Sequence, residues 1–392
     1  MPGIVMLVNE FPPLPVGGAE RQAERLSADL AARGWRVWVL TRSAAGLPAY
    51  ETRQGFEILR PAAWGPGKLR TVSFVLGALW QLWRLRGEYD LLHAHLAFGP
   101  AFAAVLAARL LGKRSLVKLG NSGEYGDLHV SLKTGRGRLR MSVFRRWADK
   151  IIVLDEVMQA EALAAGFDPQ RVQRMANGID LQAFLPPLSR EAAQAALGLA
   201  GKVVVLSMGR LTAQKSLPTL IQAMAEASQI CPNLHLLILG DGPDRAQLET
   251  LAASLQLETR VTFAGNQADV RPYLNAADIF ALPSASEGIS NALLEAMAAG
   301  LACLATRVGG SPEVLDHGRA GRLLPVGEVS AWSQALVELG QSAPAREVLG
   351  QAARERIAAE YTFTVVGARY AALYAELLAA HAPLAQTLVE TK

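Results

Sequence analysis

At 392 residues the chain has room for two or three domains of roughly 100–200 residues each. With 51% apolar and 19% charged residues, 35 Gly and 20 Pro, it is neither disordered, a coiled coil nor a collagen-like rod. The net charge of +4 hides a split, with 24 Lys/Arg against 16 Asp/Glu in residues 1–185 and 15 against 19 in residues 186–392.

In chain order, apolar runs over residues 4–8, 37–40, 91–92, 116–119 and 151–154 read as buried strands. Helical patterns over 19–33, 72–86 and 101–111 lie between them. Two apolar stretches fail as membrane spans. Residues 72–83 fall short of the roughly 20 that a bilayer needs, and 91–111 is interrupted by His93, His95, Gly99, Pro100 and Arg109. The alternation restarts in the second half, with strands over 203–208, 235–239, 261–264, 279–282 and 302–306 and helices over 217–229, 244–255 and 291–299. Two such series predict an α/β protein of two Rossmann-like parallel domains, separated near Pro186-Pro187 and facing a cleft. Two cysteines, Cys231 and Cys303, exclude a disulfide framework, and residues 1–10 lack a basic stretch ahead of a long apolar one. A cytoplasmic location follows as the expectation.

The candidate sites lie at strand ends. Gly17-Gly18-Ala19-Glu20 opens the first helix, where paired glycines admit close approach and the helix start favours an anion. A plain strand-to-helix turn explains the same residues. Gly209-Arg210-Leu211 with Lys215 follows a strand, and two cations there suit a diphosphate, one as a fork and one as a point charge. Glu287-Gly288-Ile289-Ser290-Asn291 ends in a helix cap whose amides suit a phosphate, and Glu295 sits one turn further on. His93 and His95 form an HxH pair with no third ligand at a characteristic spacing, and no DxD occurs in the chain, so no metal site is expected. Ten Lys/Arg lie between Arg109 and Trp147 against only Glu124 and Asp127. Such a half suits nucleic acid, an anionic membrane or an acidic substrate. Only Tyr125, Phe144 and Trp147 offer stacking among those cations, which argues against nucleic acid.

Taken in order, these residues resemble the retaining glycosyltransferases of family 4, which have the GT-B fold. The resemblance covers most of the chain. It runs through Gly17-Gly18-Ala19-Glu20, His93-Ala94-His95, Ala148-Asp149-Lys150-Ile151-Ile152-Val153, Asn177-Gly178-Ile179-Asp180, Gly209-Arg210-Leu211 with Lys215, Gly240-Asp241-Gly242-Pro243 and Gly309-Gly310-Ser311-Pro312-Glu313. Its most specific element is Glu287 and Glu295 with seven residues between them.

The resemblance implies a glycosyltransferase that takes a nucleotide-diphosphate sugar as substrate, needs no cofactor or metal, and retains anomeric configuration. Its N-terminal acceptor-side domain would span 1–185 plus a C-terminal helix over about 365–392, and its donor domain 186–364. Arg210, Lys215 and Glu287 would be the catalytic residues, with Gly17, Gly18, Gly209, Gly288, Ile289, Ser290, Asn291 and Glu295 on the donor. Many members carry a histidine facing the sugar where Asn121 stands here, so Asn121, His95, Glu124 and Asp127 are the acceptor-side candidates. A GT-B nucleotide-sugar epimerase is the nearest alternative, and a basic nucleic-acid-binding protein the alternative from another class. The positive half points to a lipid-linked or polyanionic glycan acceptor, as in bacterial polysaccharide or glycoconjugate synthesis. If residues 138–147 are helical, Leu139, Met141, Val143, Phe144 and Trp147 interleaved with arginines would rest on an anionic membrane, at its inner face.

Overall fold

The computed structural model describes residues 2–14, 17–185 and 188–380. The boundary expected at Pro186-Pro187 and the 381–392 end of the expected tail helix lie outside the described residues.

The first sheet has eight strands: β1 (Gly3–Leu7), β2 (Arg36–Leu40), β3 (Tyr50–Arg53), β4 (Phe56–Leu59), β5 (Leu91–His95), β6 (Arg114–Lys118), β7 (Lys150–Val153) and β8 (Val172–Arg174). Their order is β3-β4-β2-β1-β5-β6-β7-β8, parallel throughout except for β3 against β4. The near-continuous apolar runs follow from burial on both faces. In β1, Val5 and Leu7 join one core while Ile4 and Met6 join another on the opposite face, as side-chain alternation requires. Each such side chain contributes about 1.5–3 kcal/mol by leaving water.

The second sheet has six parallel strands, β9 (Val203–Met208), β10 (Leu234–Leu239), β11 (Val261–Gly265), β12 (Ile279–Leu282), β13 (Ala302–Thr306) and β14 (Arg322–Leu324), in the order β11-β10-β9-β12-β13-β14. Chain order reverses between β1 and β5 in one sheet and between β9 and β12 in the other. Ligands of open α/β sheets bind outside the carboxyl ends of the strands at such points.

The sequence reading omits the β3–β4 hairpin. Its two-residue turn, Gln54-Gly55, has both φ angles positive, +48° and +82°, as a primed turn requires. Gln-Gly lacks the usual Asn-Gly or Asp-Gly signal, and Tyr-Glu-Thr-Arg is too polar to read as a strand.

Two helices bear on the expectations above. The Gly135–Trp147 helix does form, but Met141 and Phe144 are buried and Val143 and Trp147 pack against the core of its own half. That apolar side therefore cannot rest on a membrane, and Leu139 is left exposed. The Phe363–Ala379 helix buries Val366, Tyr370, Leu373 and Tyr374 among residues of the first sheet. Its Gly367 abuts Asp29 of the Gly18–Ala32 helix so closely that a Cβ would stand 1.9 Å from a carboxylate oxygen.

Candidate active site

The loops following β9, β10, β12 and β13 build the site in the second half. Gly240, just past β10, has φ +121°, and a Cβ there would stand 1.9 Å from the Gly209 carbonyl. Only glycine lets these two strand-end loops touch. Gly309, past β13, has φ +49°, and a Cβ would meet the Glu287 carbonyl at 2.0 Å. The Gly309-Gly310 turn thus braces the Glu287 loop, and Gly310 N–H donates to the Gly288 carbonyl at 3.1 Å.

Lys215 lies in the short turn Ala213–Lys215, and its Nζ meets Glu287 Oε1 at 2.5 Å. Ser284 Oγ donates to the same oxygen at 2.7 Å. This pair lies at the β9/β12 reversal, where a small cavity is lined by Gly209, Lys215, Leu282, Pro283 and Ser284. Arg210 is exposed in the same loop and makes no ion pair among the described residues.

The Asn291–Ala298 helix begins at Ser290, whose Oγ accepts from Leu293 N–H. No hydrogen bond among the described residues starts from the backbone amides of residues 288, 289, 290 or 291. Residues 288–290 are buried and residue 291 is half-buried. Successive N–H groups without a protein partner at a helix start attract an anion.

Glu295 is buried, and burial raises its carboxyl pKa against the opposing pull of Arg25 and Arg21. Both arginines belong to the Gly18–Ala32 helix of the first half. Sequence reasoning missed this charge pairing, although Arg21 and Arg25 sit at i and i+4 just after Gly17-Gly18.

Across the cleft the halves are directly bonded. Ser122 Oγ donates to the Glu287 carbonyl and Ser286 Oγ to the Ser122 carbonyl, both at 2.6 Å. Asn291 Oδ1 accepts from Gln22 Nε2 at 3.0 Å and Asn177 Nδ2 at 3.1 Å, while its Nδ2 donates to the Gly18 carbonyl at 3.0 Å. Gly18 approaches so closely that a Cβ would stand 2.5 Å from Asn291 Nδ2. The side chain of Asn291 is therefore committed to the first half. Gln22 and Ser122 carry no sequence signal for this role.

The acceptor-side candidates divide. Asn121 is half-buried at the cleft, its Oδ1 accepting from Ser122 N–H, and Glu124 is exposed in the Gly123–Tyr125 turn. His95 and Asp127 are corrected, because neither faces the cleft. His95 is buried and stacked on His93 with ring centroids 4.4 Å apart. Burial, with His93 and Lys118 nearby, lowers its pKa and keeps it neutral. Asp127 Oδ2 accepts from the amides of Ala97 and Gly120 at 3.2 and 3.1 Å, tying the loops after β5 and β6. Burial pushes its carboxyl up to about 6. Gly17 is exposed at the start of its helix.

Two α/β sheets meeting at their strand ends, with an ion pair and a helix start on the second half's side of the cleft, have the architecture of the GT-B glycosyltransferases. Solved structures agree on the fold. Anabaena Alr3699/HepE in complex with UDP and glucose superposes with a TM-score of 0.80 at 20% identity, over 96% of this chain and all of that one. Sucrose-phosphate synthase from Thermosynechococcus elongatus gives 0.80 at 24% identity, over 97% of this chain and all of that one.

Sequence comparison is more specific. Residues 16–183 match the model of Glycosyltransferase Family 4, and residues 202–342 match that of Glycosyl transferases group 1. The D-inositol 3-phosphate glycosyltransferase of Saccharomonospora viridis is 30% identical over 371 residues, covering 86% of this chain and 84% of the relative. A GDP-mannose-dependent alpha-(1-6)-phosphatidylinositol monomannoside mannosyltransferase of Mycolicibacterium smegmatis is 27% identical, covering 94% of this chain and 97% of the relative. The chain belongs to the family 4 glycosyltransferases.

Proposed function

We propose that the enzyme transfers a sugar from a nucleotide-diphosphate sugar to a glycan or lipid-linked acceptor, with retention of configuration and without a divalent metal, in bacterial polysaccharide or glycoconjugate synthesis. The observation that carries this reading is the row of unmet amides at 288–291 beside the Lys215–Glu287 pair. The leaving diphosphate gains negative charge as the sugar departs. Fixed N–H groups and the cations Lys215 and Arg210 aimed at it lower the barrier. They would supply the charge that a metal supplies where a carboxylate pair is present. Glu295 would accept from the ribose hydroxyls, and the acceptor hydroxyl would attack from the face that the diphosphate leaves, forming the new C1–O bond as the C1–O bond to the diphosphate breaks and passing its proton to the departing phosphate oxygen.

Asn121 and Glu124 are the acceptor-side groups that this reading keeps. A phosphate-bearing or lipid acceptor is supported by the two relatives, one an inositol 3-phosphate glycosyltransferase and the other a phosphatidylinositol monomannoside mannosyltransferase. Residues 1–185 with the tail helix would hold the acceptor, and 186–364 the donor, at the cytoplasmic face of a membrane. No helix among the described residues is long and apolar enough to cross one.

Thermal shift with UDP-, GDP- and ADP-sugars should show one nucleotide raising Tm by mass action. Transfer should persist in excess EDTA and give product with the donor's anomeric configuration by NMR. An inverted product, or transfer abolished by EDTA and restored by Mn²⁺, would overturn the mechanism.

A further inference from the structure

The Gly67–Arg84 helix is apolar on two opposite faces. Phe74, Ala78 and Leu82 are fully buried against the first sheet's core. On the outer face Leu69, Val72, Leu76, Trp80 and Trp83 are 59%, 55%, 60%, 53% and 52% exposed, and Trp64, just ahead of the helix, is 69% exposed. Their spacing of 3, 4, 4 and 3 residues confines the five helical residues to a stripe about 80° wide at roughly 100° per residue. An outward helix face of a globular protein is normally polar. A contiguous apolar patch on the order of several hundred Å² marks an interaction surface.

The charge around the stripe selects the partner. Residues 58–87 contain five Lys/Arg and no Asp/Glu. Arg84 lies over the Trp80 ring at 4.7 Å and Arg86 over the Trp83 ring at 4.5 Å, while Arg70 is exposed beside Leu69. Tryptophan bodies with arginine heads, on a basic helix too short and too charged to span a bilayer, match the boundary between acyl chains and anionic headgroups. At the N-terminal end of the stripe, Thr71 and Val75 pack against Gly99, four residues past the end of β5. The stripe therefore begins beside the strand ends that face the cleft.

We propose that the outer face of the Gly67–Arg84 helix docks the enzyme on an anionic lipid surface. This placement deepens the lipid-linked acceptor reading above and rests on it.

The test is flotation with vesicles of phosphatidylglycerol and phosphatidylcholine, using the full chain and the triple variant Leu76→Ser, Trp80→Ser, Trp83→Ser. Wild type should float with anionic vesicles, and its bound fraction should fall as salt screens the headgroups. Tryptophan emission should shift to the blue on binding. The triple variant should lose at least about tenfold in bound fraction, because the buried apolar area drives insertion, with Tm and nucleotide-sugar thermal shift unchanged. Arg138→Ser with Leu139→Ser, on the helix whose apolar side is buried, should bind as wild type does. Wild type left unbound at low salt would overturn the proposal, as would a triple variant that floats equally well. A wild-type dimer by light scattering that the triple variant abolishes would assign the stripe to a second copy and overturn it too. The acceptor reading fails separately: vesicle binding through the stripe, with transfer to water-soluble glycans and none to extracted lipid, would leave the docking surface standing.

Discussion

The two strand-end regions that face each other across the cleft are built from different materials. In the second half the site is backbone: the glycines at 240 and 309 bring loops into contact, and amides at 288–291 stand open beside one ion pair. In the first half the corresponding ground is filled by buried side chains. His93 Nδ1 meets Tyr374 Oη at 2.6 Å, Lys118 Nζ donates to Asn177 Oδ1 at 2.9 Å, and Asp127 holds two loop amides. Burial lowers His93 to about 3 and Lys118 to about 7. Backbone groups keep their charge at every pH, whereas buried titratable side chains tie the first half's stability to pH.

The comparison can be broken by substitution, and the largest effect is expected in the second half. Lys215→Ala removes the fixed cation, and kcat/KM for the donor should fall by about 2–4 kcal/mol of transition-state stabilisation, with circular dichroism intact. Wild-type turnover in that variant would end the claim that the second half carries the chemistry. Gly309→Ala introduces a side chain at positive φ against the Glu287 carbonyl. It should cost about 1–3 kcal/mol in unfolding free energy and raise KM for the donor; an unchanged Tm and KM would show that the loop is not braced there.

In the first half the signature is pH. Burial gives native Lys118 a pKa of about 7 while the unfolded chain keeps the usual 10.5. Between pH 7 and 9 the unfolded state therefore binds more protons, and stability rises with pH. The contribution is on the order of 1 kcal/mol per pH unit. Urea unfolding of Lys118→Met across that range should be flatter than wild type, and parallel curves would refute the assignment. Smallest is Tyr374→Phe, which loses the bond to His93 for about 0.5–1.5 kcal/mol. Its effect should appear in Tm with donor affinity unchanged, and a shift in donor affinity would mean that the two sides are not separable.

Much of this was legible in the chain. The strand positions were, because burial on both faces writes near-continuous apolar runs such as Val203–Met208 and Ile279–Leu282. Lys215, Glu287 and the 288–291 loop were legible because glycines and charges sit at fixed offsets from strand ends. The His95 and Asp127 expectations failed for one reason: sequence shows that a polar residue lies near a strand end but not whether it turns outward or is taken up inside. The basic helix misled similarly, since Met141 and Phe144 look like a surface stripe until the Gly99–Leu111 helix is seen beneath them. Gln22 and Ser122 left no trace, because their partners lie more than 150 residues away.

Asn291 has a consequence for turnover. It begins the helix whose first amides have no partner among the described residues, yet its side chain is bonded to Gln22, Asn177 and Gly18 on the opposite half. The loop proposed to hold the leaving diphosphate is therefore also a latch of the cleft. Parting the halves must break these bonds together with the two at Ser122. At roughly 0.5–1.5 kcal/mol net for each, the open form is a minority population. If the proposed donor site lies behind this latch, release of the spent nucleotide and opening of the cleft would be one equilibrium viewed from two ends.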